Sequence, residues 1–324
     1  MGAKGRDLIT SSNGTGAANI NQLADPYLAL GSQLVAKVPN PFFNNGGTGV
    51  IGSSTVALNQ LLRPFPEFSS VNIVTSGAKS LYNALNVKLQ KRLSQGVSVL
   101  ATYTWASNWD SAWGTNNNLN GNTPGLPQDA SNLNAEYSRA LDDIPQRLAV
   151  GATLALPFRQ GMGFLSGHRV LGKTVDGWSL NIVGLVQTGM PLAVIQKTDN
   201  NASIGAGEQR PNLIGNACYS GSPESRLNRY LNPAAFSLAP AYTYGTTPRT
   251  IPCYGPGLDG WDLSLFKDFK WERITLQFRV EALNAFNTPQ FTSPVTQFGA
   301  VTFGQIQTQA NFPRFIQLGG RVSF

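Results

Sequence analysis

Charged residues are scarce in this 324-residue sequence. Charged residues make up 13% of the chain, whereas apolar residues make up 41%. The surface of an ordinary soluble protein needs more Lys, Glu, Arg and Asp than this. The composition therefore argues against a soluble globular protein.

Long apolar runs and targeting signals are also missing. No stretch reaches the roughly 18 consecutive apolar residues that a transmembrane helix needs. The opening residues MGAKGRDLIT lack the apolar core of a secretory signal, and Arg6 stands where N-myristoylation requires Ser or Thr. Neither a spanning helix nor a lipid anchor is predicted.

Histidine is nearly absent, since His168 is the only one. It lies in the turn FLSGHRVLGK, where a solvated or capping role is favoured over catalysis. The carboxylates Asp142, Asp143, Asp262 and Asp268 have no partner at a spacing typical of acid–base or metal chemistry. We expect no enzymatic activity, no metal and no cofactor.

Two further features have weak chemical meaning. The hexapeptide Gly47-Thr48-Gly49-Val50-Ile51-Gly52 matches a dinucleotide fingerprint, but the preceding VPNPFFNNG is not a core strand, so a glycine-rich loop tip is the better interpretation. The net charge of +7 comes from basic residues scattered singly along the chain. Nucleic-acid binders concentrate such residues on one face, and we predict no nucleic-acid partner.

The chain contains two cysteines, Cys218 and Cys253, in a region rich in Gly, Pro and Tyr. Their spacing fits no metal motif. Either they form a disulfide that closes a long loop, which would place the chain in an oxidising compartment, or they are two separate thiols.

Alternation of apolar and polar residues is the strongest positive signal. In LYNALNVKLQ, for example, Leu85, Val87 and Leu89 fall on one face, and the residues between them are polar. The pattern predicts seven strands, at residues 81–92, 96–106, 147–157, 177–188, 260–269, 273–285 and 314–324. Strands of about ten residues with one apolar and one polar face are typical of transmembrane β-barrels.

The connections between these strands alternate in length. Those at 93–95, 158–176 and 270–272 are short or moderate, and those at 107–146, 189–259 and 286–313 are long and polar. Outer-membrane barrels have short periplasmic turns and long extracellular loops. With this assignment the last strand ends on the periplasmic side.

Aromatic residues near the strand ends agree with this orientation, because amphipathic rings settle at the two membrane interfaces. They are Trp105, Trp178, Trp261, Phe269, Trp271 and Phe286. Residues 1–80 show no regular strand, and we interpret them as one large extracellular loop region with short helical turns. The predicted fold is all-β: an antiparallel transmembrane β-barrel segment, about seven strands of a larger barrel, over residues 81–324.

Two sets of strand residues are candidate functional positions. The polar faces would line the lumen with Lys88, Gln90, Arg279, Glu281, Gln317 and Arg321, although Arg279 and Glu281 could simply pair with each other. On the last strand the apolar residues Ile316, Leu318, Val322 and Phe324 would face lipid. A terminal aromatic on such a strand resembles the signal that the barrel assembly machinery recognises.

Several blocks resemble a known family. SLYNALNVKLQKRLSQGVSVLATYTWA, NPAAFSLAP, YGPGLDGWDLSLFKDFKWERITLQFRVEALNAFNTPQF and RFIQLGGRVSF are similar to the C-terminal barrel of TonB-dependent receptors, most of all the Oar-like group of acidobacteria. PYLALGSQLVAKVPNPF and LLRPFPEFSSVN resemble an extracellular loop of that group. The resemblance implies uptake of a large solute across the outer membrane, with energy delivered by the TonB system through a plug.

This chain resembles only part of a complete member of the family. A complete member has a signal peptide, a periplasmic plug and about 22 strands, and this chain shows about a third of those strands. The PRTIPCY stretch also differs from the family pattern, so a Cys218–Cys253 bridge finds no support in the resemblance. The expected partners are outer-membrane lipid, the remaining strands and plug of the receptor, the TonB system and the assembly machinery.

Two alternatives from other classes remain open. One is a self-contained outer-membrane barrel that binds or adheres, in which residues 1–80 would supply a closing strand. The other is a soluble β-sandwich, whose strands also alternate but which rarely carries loops of 40 to 70 residues. The sequence does not identify a transported solute.

Overall fold

Seven long strands form one antiparallel sheet, which we call the wall. The structure is a computed structural model that describes residues 16–43, 48–50, 52–75, 78–94, 96–111, 127–156, 177–198, 200 and 209–324. The wall strands are β1 (Ser80–Ser94), β2 (Val97–Asp110), β3 (Gln146–Ala155), β4 (Trp178–Gln187), β5 (Leu258–Trp271), β6 (Ile274–Leu283) and β7 (Phe315–Ser323). No helix in these ranges has the length and apolarity to cross a membrane.

Each wall strand pairs antiparallel with its neighbours in sequence, so the sheet is a simple meander from β1 to β7. All seven predicted strands are confirmed. The main differences are in the bounds: β2 continues to Asp110, and β5 continues to Trp271 before a two-residue turn. The sheet does not close, because in the described residues β1 pairs only with β2 and β7 only with β6.

The strand register sorts the wall residues onto two faces. One row across the sheet runs Lys91, Val99, Ala152, Ile182, Leu263, Ala282 and Ile316, and the next row of that face runs Leu154, Leu180, Leu265, Val280 and Leu318. We call this face the outer face. The residues between these rows form the inner face, where Ser264, Glu281 and Gln317 are cross-strand neighbours. The alternation in the sequence therefore becomes two surfaces of different polarity.

The outer face is most exposed on the two edge strands and partly exposed on the strands between them. Leu89 is 63% exposed and Leu318 is 76% exposed, and the other sheets in the described residues are two-stranded. Because no second large sheet covers these side chains there, the architecture is not a β-sandwich. A surface this apolar and this continuous needs lipid to cover it.

Tryptophans stand near both ends of the outer face. Trp261 and Trp271 are ten positions apart on β5, which is about 33 Å along a strand and about 25 Å across a membrane at a tilt near 40°. That height matches the apolar band of an outer-membrane barrel. Trp261 also lies flat against Gly184 on β4, where a Cβ atom would overlap its ring. Glycine at position 184 therefore makes room for this ring.

The connections lie at the two edges that the sequence predicts. Gly96 closes the β1–β2 turn with a φ of 78°, a conformation that glycine adopts without strain, and Glu272 and Arg273 close the β5–β6 turn. The connections that follow β2, β4 and β6 leave the opposite edge, and the segment before β1 enters at that edge. The alternation of short and long connections is confirmed at the two short turns that the structure describes, whereas the predicted connection at 158–176 lies outside the described residues. The last strand, β7, ends on the side of the short turns.

The long connections are folded, and they form what we call the loop layer: the described parts of residues 16–79, 111–145, 188–257 and 284–314. Its short strands are Gly16–Asn19 with Asn72–Thr75, Lys37–Pro39 with Thr55–Ala57, Asn212–Leu213 with Phe236–Ser237, Ile195–Gln196 with Gln297–Phe298, and Ser138–Arg139 with β2. Its helical turns are the 3₁₀ helices Asp25–Val35, Leu133–Glu136, Glu224–Arg226 and Pro233–Ala235 and the α-helix Leu58–Leu61.

These elements correct one expectation for residues 1–80. The helical turns are present, but four short strands are present as well, in segments with too few residues to show a period of two. None of these four strands joins the wall. The N-terminal region therefore does not supply a closing strand in the part of the chain that the structure describes.

The hydrophobic core lies in the loop layer. Leu192, Val194, Leu231 and Ile251 are almost completely buried and pack with Phe236, Phe303 and other residues of the two later connections. A smaller cluster is built on Leu23 and Leu34. The wall has apolar residues facing outward instead, so the protein buries its apolar side chains against one another chiefly outside the wall.

Candidate functional site: the loop layer and the inner face

A buried ion pair holds two long connections together. Arg210 donates to both carboxylate oxygens of Glu136, over 3.1 Å from Nη1 and 2.9 Å from Nη2. Both side chains are at most 3% exposed. A bidentate pair of this kind fixes distance and orientation at once. It ties the connection after β2 to the connection after β4.

Arg249 extends this pair to the wall. Its Nε donates to the backbone oxygen of Glu136 over 3.0 Å, and its Nη2 donates to the backbone oxygen of Asp110 over 2.9 Å and to the Asp110 carboxylate. Burial lowers the pKa of Arg249, while the Asp110 carboxylate acts in the opposite direction. The loop layer is thus anchored on the last residue of β2.

Asp143 forms a second junction. Its Oδ1 accepts the backbone N–H of Asn108 over 2.7 Å, and its Oδ2 accepts Tyr254 Oη over 3.1 Å and Arg139 Nη1 over 3.3 Å. Burial and the neighbouring carboxylate raise the pKa of Tyr254. A partner for Asp143 is not apparent from the sequence, because Tyr254 lies 111 positions away.

The N-terminal region is attached by a hydrogen-bonded group of polar side chains. Gln22 Nε2 donates to Asp129 Oδ1 and to Tyr244 Oη, over 2.8 Å each. Tyr244 Oη in turn donates to Asp25 Oδ1 over 3.4 Å. Burial, with Asp129 and Asp25 nearby, raises the pKa of Tyr244. Three separate segments of the chain meet at this point.

Cys218 and Cys253 form a disulfide with Cα atoms 6.2 Å apart. Cys253 is buried in the main core of the loop layer, and Cys218 packs against that core. The bridge closes the loop between them on itself. Arg226 and Arg229 are carried by this loop, where they lie over the rings of Tyr230 and Tyr219.

The predicted lumen residues Lys88, Gln90, Arg279, Glu281, Gln317 and Arg321 all fall on the inner face by strand register. Arg279 does not pair with Glu281 in any contact that the structure shows. Its Nε donates to Gln277 Oε1 over 2.7 Å, and its guanidinium lies 5.0 Å from the Phe266 ring. Gln277 also donates to Asp268 over 2.8 Å, so a polar network runs along β5 and β6.

The candidate assembly-signal residues lie on the opposite face. Ile316, Leu318 and Val322 are exposed on the outer face of β7, and Phe324 follows the strand and is fully exposed. They form the outer surface of an edge strand. This is a position from which another protein can reach both the backbone and the side chains.

The remaining sequence candidates form no site in the described residues. Gly47 and Ile51 of the GTGVIG segment and His168 lie outside those residues. Gly49 and Gly52 are in turns between two short strands, which is not the strand–helix context of a nucleotide site. In the described part of the chain no group of three or more His, Cys, Asp and Glu could hold a metal ion.

The comparison with protein families agrees with the architecture of the wall. The family model described as outer membrane beta barrel domain matches residues 1–317. Among solved structures, the outer membrane transporter YddB from Escherichia coli matches with a TM-score of 0.38 and 7% identity. The match covers 78% of this chain and 26% of the transporter, so the chain spans about a quarter of that protein. No curated protein sequence matches the chain. The chain belongs to the outer-membrane β-barrel domain family and is located in the outer membrane.

Proposed function

We propose that the chain is the C-terminal part of the wall and extracellular loops of a TonB-dependent receptor that takes up a large solute. The observation that carries the proposal is a wall of seven strands, open at both edges, beneath a packed loop layer. The proposal assigns binding and transport to the protein, and no catalysis.

The directions of the edge strands limit how this wall can close. β1 and β7 both run from the loop layer toward the short turns, because the meander has an odd number of strands. Pairing these edges with each other would be parallel, whereas outer-membrane barrels are antiparallel. An odd number of further strands satisfies both edges. The complete barrel then has an even number, as such barrels usually do.

The inner face favours a wide barrel over a small one. An eight-stranded barrel has room only for side chains that fill its interior or for one small ligand. The inner face carries long charged side chains, among them Lys88, Arg147, Arg279 and Arg321. Such side chains need water or a plug beside them. A lumen of that size is what passage of a large solute requires.

The proposed partners follow from the same arrangement. The plug and the remaining strands would cover the inner face and both edges, and TonB would act through the plug. The barrel assembly machinery would recognise β7 and Phe324. Lipid covers the outer face.

The proposal is tested by deleting the gene that encodes this chain in its own organism. Growth is then compared on a panel of iron chelates, oligosaccharides and peptides, each as a sole source. We expect one growth defect, reproduced by deletion of TonB and repaired by the intact gene. Normal growth of the TonB deletion strain on the solute that this gene is needed for would show that uptake is not TonB-dependent. Growth defects with no overlap between the two deletions would show the same.

A further inference from the structure

One row of the inner face is mostly apolar. The register places its six residues, which we call the track, side by side from β2 to β7: Leu100, Gly151, Val183, Asp262, Leu283 and Phe315. Leu283 lies beside Asp262 because their neighbours Ala282 and Leu263 are cross-strand partners. The next row toward the short turns is polar throughout: Ser98, Thr153, Asn181, Ser264, Glu281 and Gln317. The polarity of the inner face therefore changes between two adjacent rows.

The apolar side chains of the track are open to the lumen. Val183 is 60% exposed and Phe315 is 57% exposed. Gly151 leaves a hollow between Leu100 and Val183, since two strand spacings separate those side chains by about 10 Å. The Asp262 carboxylate interrupts the track least, because its Oδ1 accepts the backbone N–H of Asn284 over 2.8 Å. Exposed apolar residues in a row of this kind are typical of a binding surface.

The track crosses the wall from one edge to the other. Phe315 is the first residue of β7, at the loop-layer edge, whereas Leu100 lies three positions from the start of β2, at the edge of the short turns. Five strand spacings, or about 24 Å, separate them. A compact folded partner such as a plug needs a broad patch at one level. A long and narrow apolar surface fits a flexible aliphatic chain better.

A cation lies beside the short-turn end of the track. Lys88 is two positions from Gln90, which is the β1 partner of Leu100, so Lys88 and Leu100 are diagonal neighbours on the inner face. Diagonal neighbours lie about 7–8 Å apart, within reach of a long side chain. Lys88 is exposed, and its ammonium makes no hydrogen bond or ion pair with the residues that the structure describes. The ammonium can therefore bind an anion while Leu100 contacts an apolar group of the same ligand.

We propose that the track and Lys88 bind an amphipathic anion, in which an aliphatic chain carries a carboxylate. The chain lies over Leu100, Gly151 and Val183 and extends toward β7, and the carboxylate contacts the Lys88 ammonium. This inference rests on the proposed function and deepens it, because it gives the transported solute an aliphatic chain with an acidic group.

The test uses decanoate with a photoreactive diazirine at the end of its chain. It is added to the full-length protein that carries this chain, in outer-membrane vesicles, and labelled residues are located by mass spectrometry after illumination. We expect label on the track and on outer-face residues, which probe dissolved in lipid reaches and which serve as the reference. The double variant Leu100→Thr, Val183→Thr should carry about tenfold less label on the track, because two apolar contacts are lost. Val186→Thr, the same change on the outer face of β4, should leave the track label unchanged.

Lys88→Gln tests the charge. It should lower the track label by decanoate about threefold and leave the label by the methyl ester of the same probe unchanged. Label confined to the outer face, or equal track label in the wild type and the double variant, overturns the proposal. So does entry of vancomycin into cells of the double variant without any track label, because that result would show that the track holds the plug. Track label that is lost in the double variant, in a protein whose uptake proves independent of TonB, would support this inference and overturn the proposed function alone.

Discussion

At the scale of single residues, the loop layer depends on charges removed from water. Glu136 and Arg210 are nearly completely buried, and each is the other's ion-pair partner. Removing one member of a buried pair leaves the other charge uncompensated, which is far more costly than replacing both. The pair therefore fixes the arrangement of two connections more than it adds net stability.

We expect Glu136→Leu to lower the free energy of unfolding of the loop layer by about 3–5 kcal/mol. The double variant Glu136→Leu, Arg210→Met should regain most of that loss, because no unpaired charge remains. Urea unfolding followed by hydrogen exchange in the loop layer measures both. Glu224→Leu, at an exposed position, is the control. Equal loss in the single and double variants would mean that the ion pair itself supplies the stability.

Three tyrosines in the loop layer predict sensitivity to alkaline pH. Burial raises the pKa values of Tyr230, Tyr244 and Tyr254. Above pH about 10 the unfolded chain releases these phenol protons while the folded loop layer keeps them, so stability is full below that pH and falls above it. Tyrosinate absorbance should rise together with loss of loop-layer protection from proteolysis. Tyr254→Phe should weaken the pH dependence, and an unchanged dependence would exclude Tyr254 as a cause.

At the scale of elements, the disulfide constrains the loop that carries Arg226 and Arg229. Cys218 and Cys253 are 35 positions apart, and closing a loop of that length stabilises the folded state by about 4 kcal/mol in the chain-entropy model. The double variant Cys218→Ser, Cys253→Ser should unfold in the loop layer at lower urea, with the wall transition unchanged. A wall transition that shifts equally would show that the two layers unfold together.

The wall strands could be predicted from the sequence because the polarity of alternate residues in each strand follows the surroundings of its two faces. Lipid on one side and a polar interior on the other impose a period of two within ten residues, which the wall strands follow with exceptions such as Lys91 and Lys267 on the outer face. Errors were confined to strand ends, as at Asp110, where β2 leaves the membrane band and the alternation no longer reports on lipid.

The loop layer could not be predicted in this way. Its order comes from contacts between distant residues: Arg249 meets Asp110 across 139 positions, and Gln22 meets Tyr244 across 222. No local pattern encodes such pairs. The same holds for Asp143, which looks like an isolated loop carboxylate until the folded chain brings Tyr254 and Asn108 to it.

At the scale of the whole molecule, apolar side chains are covered partly by protein and partly by lipid. The loop layer buries Leu192, Leu231 and Ile251 against other protein, while the wall leaves Leu89 and Leu318 for lipid. The edge strands β1 and β7 run in the same direction, and each needs an antiparallel neighbour within the membrane. The wall is thus a sector of a barrel with an apolar outer face and a polar inner face.

The most direct test of this account measures those two faces. Spin labels are placed one at a time at residues 276–281 of β6 in the full-length protein in outer-membrane vesicles, and their collision with oxygen and with a water-soluble relaxation agent is recorded. We predict oxygen exposure at 276, 278 and 280 and water exposure at 277, 279 and 281. Equal exposure to water at all six positions, or no alternation, would contradict a wall with one face in lipid and the other lining a lumen.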